Sequence, residues 1–354
     1  MPNERIDALF RQPVCWLTDN GPEDDIAISS RIRLARNLSG EPFPVRSDDV
    51  SLTAVRDSVF GVLERADSMK ETETCEFKVD ELSELDRRFL LERHLISREF
   101  LNPRRGAGLV TNREQGLFVM VNEEDHLRLQ VLAPGFQLNE IWRRISRLDD
   151  ELSMELPFAF DKTFGYLTSC PTNLGTGLRA SVMLHLPGLV LTNQIQAVVQ
   201  GVNKLGLAAR GFYGEGSQTL GNLYQISNQS TLGESEEQII RRLASVIAQI
   251  ITHEKKARAL LLANRQNHLM NHIGRAYGLL KHSYIISGDE SLNSLSALRL
   301  GVDLNMFRSV NIHTVNELFL LVQAAHLQKY EGRELDQENR DVARAALLRK
   351  FLQE

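Results

Sequence analysis

The sequence predicts an α+β fold, a sheet covered by helices on one face, followed by an all-α region. Two observations support this class. Within residues 1–254, short runs of β-forming residues lie between helical patterns without regular β-α-β alternation. Residues 255–354 show almost only the spacing of amphipathic helices. The 354 residues suffice for roughly two domains. Since no Pro/Ser-rich linker separates the two regions, we expect them to pack on each other.

Local spacing predicts the individual elements. β-forming residues at short intervals predict strands at Glu76–Val79, Leu117–Val121, Leu127–Leu132, Ser181–His185 and Leu223–Ser227. Apolar residues at helical spacing predict helices at Asp48–Asp67, Gly188–Leu205, Glu236–Asn264, Ser291–Val302, Thr314–Gln328 and Gln337–Gln353. Ser83 followed by Asp86 resembles a capping box that begins a helix toward His94. Gly206 is the expected stop for the helix that precedes it.

The overall composition argues against several classes of protein. With 42% hydrophobic and 25% charged residues, the chain resembles a soluble globular protein. No apolar run reaches the roughly 18 residues of a membrane span, and Met1–Arg5 does not begin a signal peptide. Cys15, Cys75 and Cys170 form neither a disulfide framework nor a zinc cluster, which predicts a reducing, cytoplasmic location. A net charge of −5 without a basic block argues against a dedicated nucleic-acid binder.

Arginine predominates among the basic residues, with 32 Arg against 9 Lys. A GC-rich genome would produce this bias without any function. In the segment Ser29–Asn37, however, extended backbone would place Arg31 and Arg33 on one face and Ile32 and Leu34 on the other. Two guanidinium groups about 7 Å apart suit a polyphosphate. An edge strand with a solvated charged face explains the same pattern.

Three further segments carry candidate chemistry. Asn122–Arg128 contains three consecutive carboxylates, which repel each other unless a cation or donors face them, and an exposed acidic turn is the alternative. Gly165–Arg179 surrounds Cys170 with small and hydroxyl residues and glycines, which is typical of backbone close to a ligand or of a small Cys buried in a turn. Arg210–Ser217 is a glycine-rich segment that suits either a generic loop or a lid.

Together these segments describe one anion site bordered by acids. Its cations are Arg31, Arg33, Arg128, Arg179 and Arg210, and its carboxylates are Glu124 and Glu215. This combination fits phosphoryl transfer, in which positioning and charge neutralisation dominate catalysis. The sequence contains no P-loop, G-x-G-x-x-G, H-E-x-x-H or C-x-x-C motif, so the phosphates would be held in another way.

Four motifs, in the same order, resemble those of the phosphagen (guanidino) kinases. They are Ser30–Leu34, Asn122–Arg128, Cys170–Gly177 and Arg210–Glu215. The resemblance is greater to the bacterial protein-arginine kinase branch, and it continues through Glu92–Ser97, Arg179–Met183, Gln225–Gln229 and an R-D-x-x-R-A motif at Arg340–Ala345. It implies a largely antiparallel sheet flanked by helices in a catalytic domain over residues 1–254. It also implies a helical domain over residues 255–354 for dimerisation and phosphoarginine binding.

The resemblance implies a role for each matching residue. The ATP-binding set is Ser30, Arg31, Ile32, Arg33, Leu34, His94, Arg128, Arg179, Ala180, Ser181, Val182, Met183, Arg210, Gly211, Phe212, Tyr213 and Gly214. Glu124 would be the catalytic carboxylate, Glu215 its loop partner, and Cys170 would lie against the substrate guanidinium. The phosphoarginine set is Arg340, Asp341, Arg344 and Ala345. Mg²⁺ would accompany ATP, held mainly by phosphates and water without a cage of protein ligands.

Two departures distinguish the chain from small-molecule guanidino kinases. Only 29 residues precede Ser30, where those enzymes carry an N-terminal helical domain, so the acceptor side is expected to be open to a protein. Tyr213 stands where they often have a basic residue, which puts one phosphate contact in doubt.

The implied function is ATP-dependent phosphorylation of protein arginines, which marks proteins for a Clp-type protease and regulates the stress response. The implied partners are proteins with exposed Arg, a Clp-type unfoldase or protease, a zinc-finger activator protein, a transcriptional repressor of heat-shock genes as a client, and further copies of the chain. Neither membrane nor nucleic acid is among them. The alternatives are a small-molecule guanidino kinase and a catalytically silent phosphoarginine-binding adaptor. From its residues alone, Arg340–Ala345 also suits an ordinary amphipathic end helix.

Overall fold

The computed structural model describes residues 4–18, 20–70, 73–211, 220–307 and 309–353. The strands are β1 (Ala27–Arg36), β2 (Thr74–Lys78), β3 (Gly108–Asn112), β4 (Leu117–Val121), β5 (Leu127–Pro134), β6 (Phe160–Asp161), β7 (Gly165–Tyr166), β8 (Leu178–His185), β9 (Leu207–Gly211) and β10 (Leu223–Asn228). Eight of them form one antiparallel sheet in the order β2-β3-β4-β5-β1-β8-β10-β9, and β6 pairs with β7. The α+β class and the antiparallel sheet are therefore confirmed.

Helices make up most of the remaining chain. They are α1 (Glu4–Phe10), α2 (Cys15–Thr18), α3 (Asp49–Arg65), α4 (Asp67–Lys70), α5 (Glu84–Glu92), α6 (Leu138–Glu155), α7 (Pro187–Leu191), α8 (Ile195–Lys204), α9 (Glu236–Asn264), α10 (Gln266–His282), α11 (Gly288–Asp303), α12 (Ile312–Leu321), α13 (Ala324–Glu331) and α14 (Gln337–Gln353). None of these helices is both long and apolar enough to cross a lipid bilayer, a finding that applies to the described ranges only.

Most predicted elements are confirmed, but two predicted helices are each divided. The pattern at Gly188–Leu205 forms α7 and α8, which are separated where Asn193 adopts a left-handed backbone with φ of 59°. The pattern at Thr314–Gln328 forms α12 and α13, because Gln323 is extended and begins a new helix. Apolar spacing continues across both breaks, which is why periodicity alone did not reveal them. The sequence reasoning also missed β3, β9, α6 and α10.

Helices pack on both faces of the sheet, so the prediction of a single covered face is wrong. The largest core lies between one face of the sheet and helices α3, α6 and α9. On the other face, α1, α2 and α5 cover the β2–β5 side, and helices of the C-terminal region pack near Leu223 and Met183. The middle of this second face carries polar side chains instead of a core. The predicted boundary at residues 254/255 lies within α9.

Candidate active site

Arg31 and Arg33 lie on β1, at the centre of the sheet. In the register of β1 with β8, Arg31 is opposite Ser181 and Arg33 is opposite Arg179. Side chains alternate along a strand, so these four residues project from the same face. Sequence alternation anticipated the shared face of Arg31 and Arg33, while the addition of Arg179 depends on strand pairing.

The two remaining predicted arginines reach the same face from other strands. Arg128 on β5 is opposite Ala35, which is two residues beyond Arg33 and shares its face. Arg210 on β9 is opposite Gln225, which is itself opposite Met183 on β8. The sheet thus gathers five arginines from separate parts of the chain. We call Arg31, Arg33, Arg128, Arg179 and Arg210 the arginine face.

A cavity of about 640 Å³ lies over this face. Four of the five arginines, all except Arg128, line this cavity. His94, Ser181 and Met183 of the predicted ATP-binding set line it as well. Lining residues that sequence reasoning missed include Trp16, Arg98, Asp289 and Gln323. Trp16, Asp289 and Gln323 lie in segments without a motif signal, and Arg98 directly follows the Glu92–Ser97 motif.

The positive charges of the arginine face repel one another, and burial further disfavours them. Burial lowers the pKa of Arg31 to about 10, with further lowering by the positive charges of Arg128 and Arg179. Burial also lowers the pKa of Arg33, followed by the charges of its arginine neighbours. The Nε of Arg33 is buried without a hydrogen-bond partner. A polyanion would relieve the repulsion and supply acceptors, so the face suits ATP phosphates.

His94 enters the cavity from the end of α5. Its φ of 62° is left-handed, and the bonds from His94 N to Leu91 O (2.9 Å) and Leu95 N to Leu90 O (3.0 Å) close the helix end. The ring lies 5.1 Å from the Trp16 ring, measured between centroids. Burial, followed by the charges of Arg31 and His326, lowers the pKa of His94 to about 3. The imidazole is therefore neutral at physiological pH.

Five residues of the predicted ATP-binding set have side chains that turn away from the arginine face. The side chains of Ile32, Leu34, Ala180 and Val182 are buried in the core on the opposite face of the sheet. The Ser30 hydroxyl donates to Gly135 O at 2.8 Å and accepts from Gln137 N at 3.1 Å. The predicted contact of these five side chains with ATP is therefore corrected, because alternation along a strand turns every second side chain away from the arginine face.

The acidic run after β4 contains three carboxylates with different environments. Glu123 forms an ion pair with Arg128, which compensates the charge of both side chains. Asp125 accepts from Asn37 Nδ2 at 2.6 Å and from Ser169 N at 2.7 Å, so it fixes the acidic turn to the Cys170 loop. Among the described residues, the Glu124 carboxylate has no ion-pair partner and accepts no hydrogen bond from the backbone.

Glu124 and Cys170 meet at the border of the arginine face. The Cys170 thiol lies next to the Glu124 carboxylate, and its Sγ lies 3.0 Å from Thr172 Oγ1. Burial raises the pKa of Glu124, as do the charges of Asp125 and Glu123, whereas Arg128 and the neighbouring Cys170 thiol oppose the rise. A half-buried carboxylate with a raised pKa is a stronger base than an ordinary one and suits proton acceptance.

The glycines around Cys170 allow close packing of the backbone. A Cβ on Gly165 would lie 2.5 Å from Gly175 O, and one on Gly175 would lie 2.4 Å from Thr231 O. A Cβ on Gly177 would lie 2.6 Å from Ala35 O. These glycines therefore hold the loop against its neighbours, and this packing fixes the place of Cys170.

The R-D-x-x-R-A motif lies within α14, and its two arginines bond to other parts of the C-terminal region. Arg344 is buried and donates to Val322 O (2.8 Å), Ile286 O (2.9 Å) and Asp341 Oδ1 (2.5 Å). Arg340 donates to Leu335 O at 2.7 Å, and Ala345 is buried in the core of the C-terminal helices. Arg344 also lines the cavity over the arginine face. The motif thus joins parts of the C-terminal region to each other.

The predicted loop motif is described only in part. Gly211 ends β9 next to Arg210. Phe212, Tyr213, Gly214 and Glu215 lie outside the described residues.

An antiparallel sheet that presents partly buried arginines to a cavity, bordered by a carboxylate and a thiol, defines a phosphotransferase site for a guanidino group. Comparisons with known proteins agree. The model for the ATP:guanido phosphotransferase C-terminal catalytic domain matches residues 54–257, and the model for the protein-arginine kinase McsB C-terminal domain matches residues 266–354. The chain belongs to the bacterial protein-arginine kinase family of guanidino phosphotransferases.

Curated relatives named protein-arginine kinase match the chain nearly end to end. The protein from Halothermothrix orenii is 47% identical over 337 residues, which are 95% of this chain and 96% of the relative. The protein from Bacillus cereus strain AH187 is 45% identical over 353 residues, 98% of both chains.

Two solved structures share the fold. The duplicated taurocyamine kinase from Schistosoma mansoni, with transition-state analogue components bound, is 27% identical with a TM-score of 0.60, over 70% of this chain and 35% of that one. A lombricine kinase, 23% identical with a TM-score of 0.58 over 70% and 72% of the two chains, shows the fold alone.

Proposed function

We propose that this protein transfers the γ-phosphoryl group of ATP to the guanidinium of arginine side chains in proteins. The observation that carries the proposal is the position of Glu124 and Cys170 at the border of the arginine face. Arg31, Arg33, Arg179 and Arg210 would hold the phosphates, and the acceptor guanidinium would lie against Glu124 and Cys170. The curated relatives carry the same activity in their name.

The acceptor sets the chemical problem. A guanidinium is almost entirely protonated at pH 7, so it is a poor nucleophile. Glu124 would bind the fork, orient the attacking nitrogen and take its proton as the N–P bond forms and the P–O bond to ADP breaks. The arginine face would neutralise the charge on the transferring group. Glu215, predicted as a second carboxylate, would complete this arrangement.

Mg²⁺ would enter with ATP, held mainly by phosphate oxygens and water. The described lining of the cavity supports this, because its donors are chiefly guanidinium groups, which bind phosphate and do not ligate cations. Within the described residues, no group of three or more His, Cys, Asp or Glu side chains is arranged to hold a metal ion.

The biological role is proposed from the resemblance. We propose proteins with exposed Arg as substrates, delivery of the products to a Clp-type protease, control of the stress response through a heat-shock repressor, a zinc-finger activator protein, a dimer or higher oligomer, and a cytoplasmic location. Phosphoarginine would bind Arg340, Asp341 and Arg344 by replacing the present pair between Arg344 and Asp341.

The test uses the purified chain with ATP, Mg²⁺ and either casein or free arginine. We expect acid-labile phosphoarginine on casein, identified by mass spectrometry, and little turnover of free arginine. Faster turnover of free arginine would indicate a small-molecule kinase. Binding of a phosphoarginine peptide without any phosphotransfer would indicate an adaptor.

A further inference from the structure

The start of α13 lies against the end of α5 through a single carboxylate, that of Glu92. Its Oε1 accepts from Ala325 N at 2.8 Å, and its Oε2 accepts from His326 N at 2.9 Å. The first turn of a helix has backbone N–H groups without intrahelical acceptors, and the Gln323 side chain does not cap them. Glu92, more than 200 residues away in sequence, therefore caps this helix.

The ring of His326 fixes the contact in one arrangement. It is fully buried, its Nδ1 lies 2.7 Å from Glu92 Oε2, and its Nε2 accepts from Arg93 Nε at 3.2 Å. Because Nε2 is an acceptor, Nδ1 carries the proton and donates to Glu92. The ring also packs at 4.7 Å from Phe89 on α5, measured between centroids. Both oxygens of Glu92 are consequently occupied by α13.

The segment before α13 forms part of the wall of the cavity over the arginine face. Val322, Gln323 and Ala324 line this cavity, together with Glu92 and His94. Arg344 holds the same segment from within the C-terminal region by donating to Val322 O at 2.8 Å. Residues 322–324 are thus fixed on one side by Arg344 and on the other by Glu92.

We infer that Glu92 is a positioning residue for nucleotide binding, which holds residues 322–324 as a wall of the cavity that contains the arginine face. The inference rests on the proposed function, in which this cavity binds ATP. Glu92 would act through the wall and not by contact with phosphate, because an anion there repels phosphate and its oxygens are already bonded. Loss of Glu92 should therefore weaken ATP binding without slowing the transfer step.

The experiment compares Glu92→Ala and Glu92→Gln with the unchanged chain. For Glu92→Ala we expect the ATP dissociation constant, measured by calorimetry, and the KM for ATP to rise about tenfold, with kcat within about twofold. Glutamine keeps one acceptor oxygen, so Glu92→Gln should show a smaller rise. If Glu92→Ala does not fold, Glu92→Gln alone must show the same separation of KM from kcat.

Lys329→Met is the matched control. Lys329 lies on α13 and pairs with Asp86 of α5 at 2.6 Å and with Asp7 of α1 at 3.3 Å, so it joins α13 to the same part of the molecule without lining the cavity. An equal rise in KM for Lys329→Met would show that the effect of Glu92→Ala comes only from the general docking of α13, and it would overturn the inference. Unchanged ATP binding by Glu92→Ala would also overturn it, while the proposed function would stand. Absence of ATP binding by the unchanged chain would overturn both.

Discussion

The arginine face and the R-D-x-x-R-A motif both contain arginines, but the bonding of these arginines differs. Arg31 and Arg33 have no hydrogen-bond or ion-pair partner among the described residues, and burial together with neighbouring arginines lowers the pKa of each. Arg344 is only 4% exposed, whereas Arg31 and Arg33 are partly exposed, and it already donates to two backbone carbonyls and to Asp341.

The difference shows how to distinguish a binding arginine from a structural one. Guanidinium donors that the fold leaves without protein partners can bond to a ligand, whereas donors satisfied within the fold stabilise the fold itself. Arg36 follows Arg33 on the same strand and belongs with the structural kind. It forms a bidentate pair with Asp149 at 3.0 and 2.7 Å and packs over the Tyr166 ring.

The largest expected effect concerns the chemistry at the border of the arginine face. Glu124→Gln removes the proton acceptor while keeping the size of the side chain, so kcat should fall about 10³-fold. Quantification of phosphoarginine by mass spectrometry measures the loss. Glu114→Gln, in the exposed turn between β3 and β4, is the matched control and should keep full activity. Near-normal activity of Glu124→Gln would exclude Glu124 as the base.

An intermediate effect compares the two kinds of arginine directly. Arg31→Ala should raise the ATP dissociation constant about 10- to 100-fold, since a charge-assisted bond to phosphate is lost. It should leave the free energy of unfolding unchanged or slightly higher, because the repulsion with Arg128 and Arg179 decreases. Arg344→Ala should lower that free energy by about 3 kcal/mol. Urea unfolding measures both, and equal destabilisation by the two changes would contradict the distinction.

The smallest effect concerns pH. Glu124 must be ionised to accept a proton and its pKa is raised, so kcat/KM should fall on acidification at a pH above the ordinary Glu value. The neighbouring Cys170 thiol lowers this pKa, so Cys170→Ala should move the acidic limb slightly upward. Cys75→Ala, on the edge strand β2, is the control and should leave the limb in place. A downward shift for Cys170→Ala would contradict this effect of the thiol on Glu124.

The sequence anticipated those parts of the site that depend on local periodicity. Alternation along an extended strand placed Arg31 and Arg33 on one face, and the motifs grouped Arg128, Arg179 and Arg210 with them, although the strand β9 that carries Arg210 was not predicted. The same alternation should have removed Ile32 and Leu34 from the ATP-binding set, since it turns them into the core. Their inclusion follows from assigning ATP binding to every residue of the matching motif.

Tertiary structure decided the roles that depend on residues distant in sequence. Asp125 became a loop anchor only because Asn37 and Ser169 approach it, whereas Glu124 of the same acidic run has no such bond among the described residues. Glu92 caps α13 only because the fold brings it to a helix that begins more than 200 residues later.

The sequence by itself determined the α+β class, the central strand of arginines and the helical C-terminal region, because each depends on spacing within one segment. Only the tertiary structure decided which charged side chains are free to bind a ligand and which are satisfied by the fold. Hydrogen bonding of a buried charge depends on partners that the folded chain brings together, and local sequence carries no record of them.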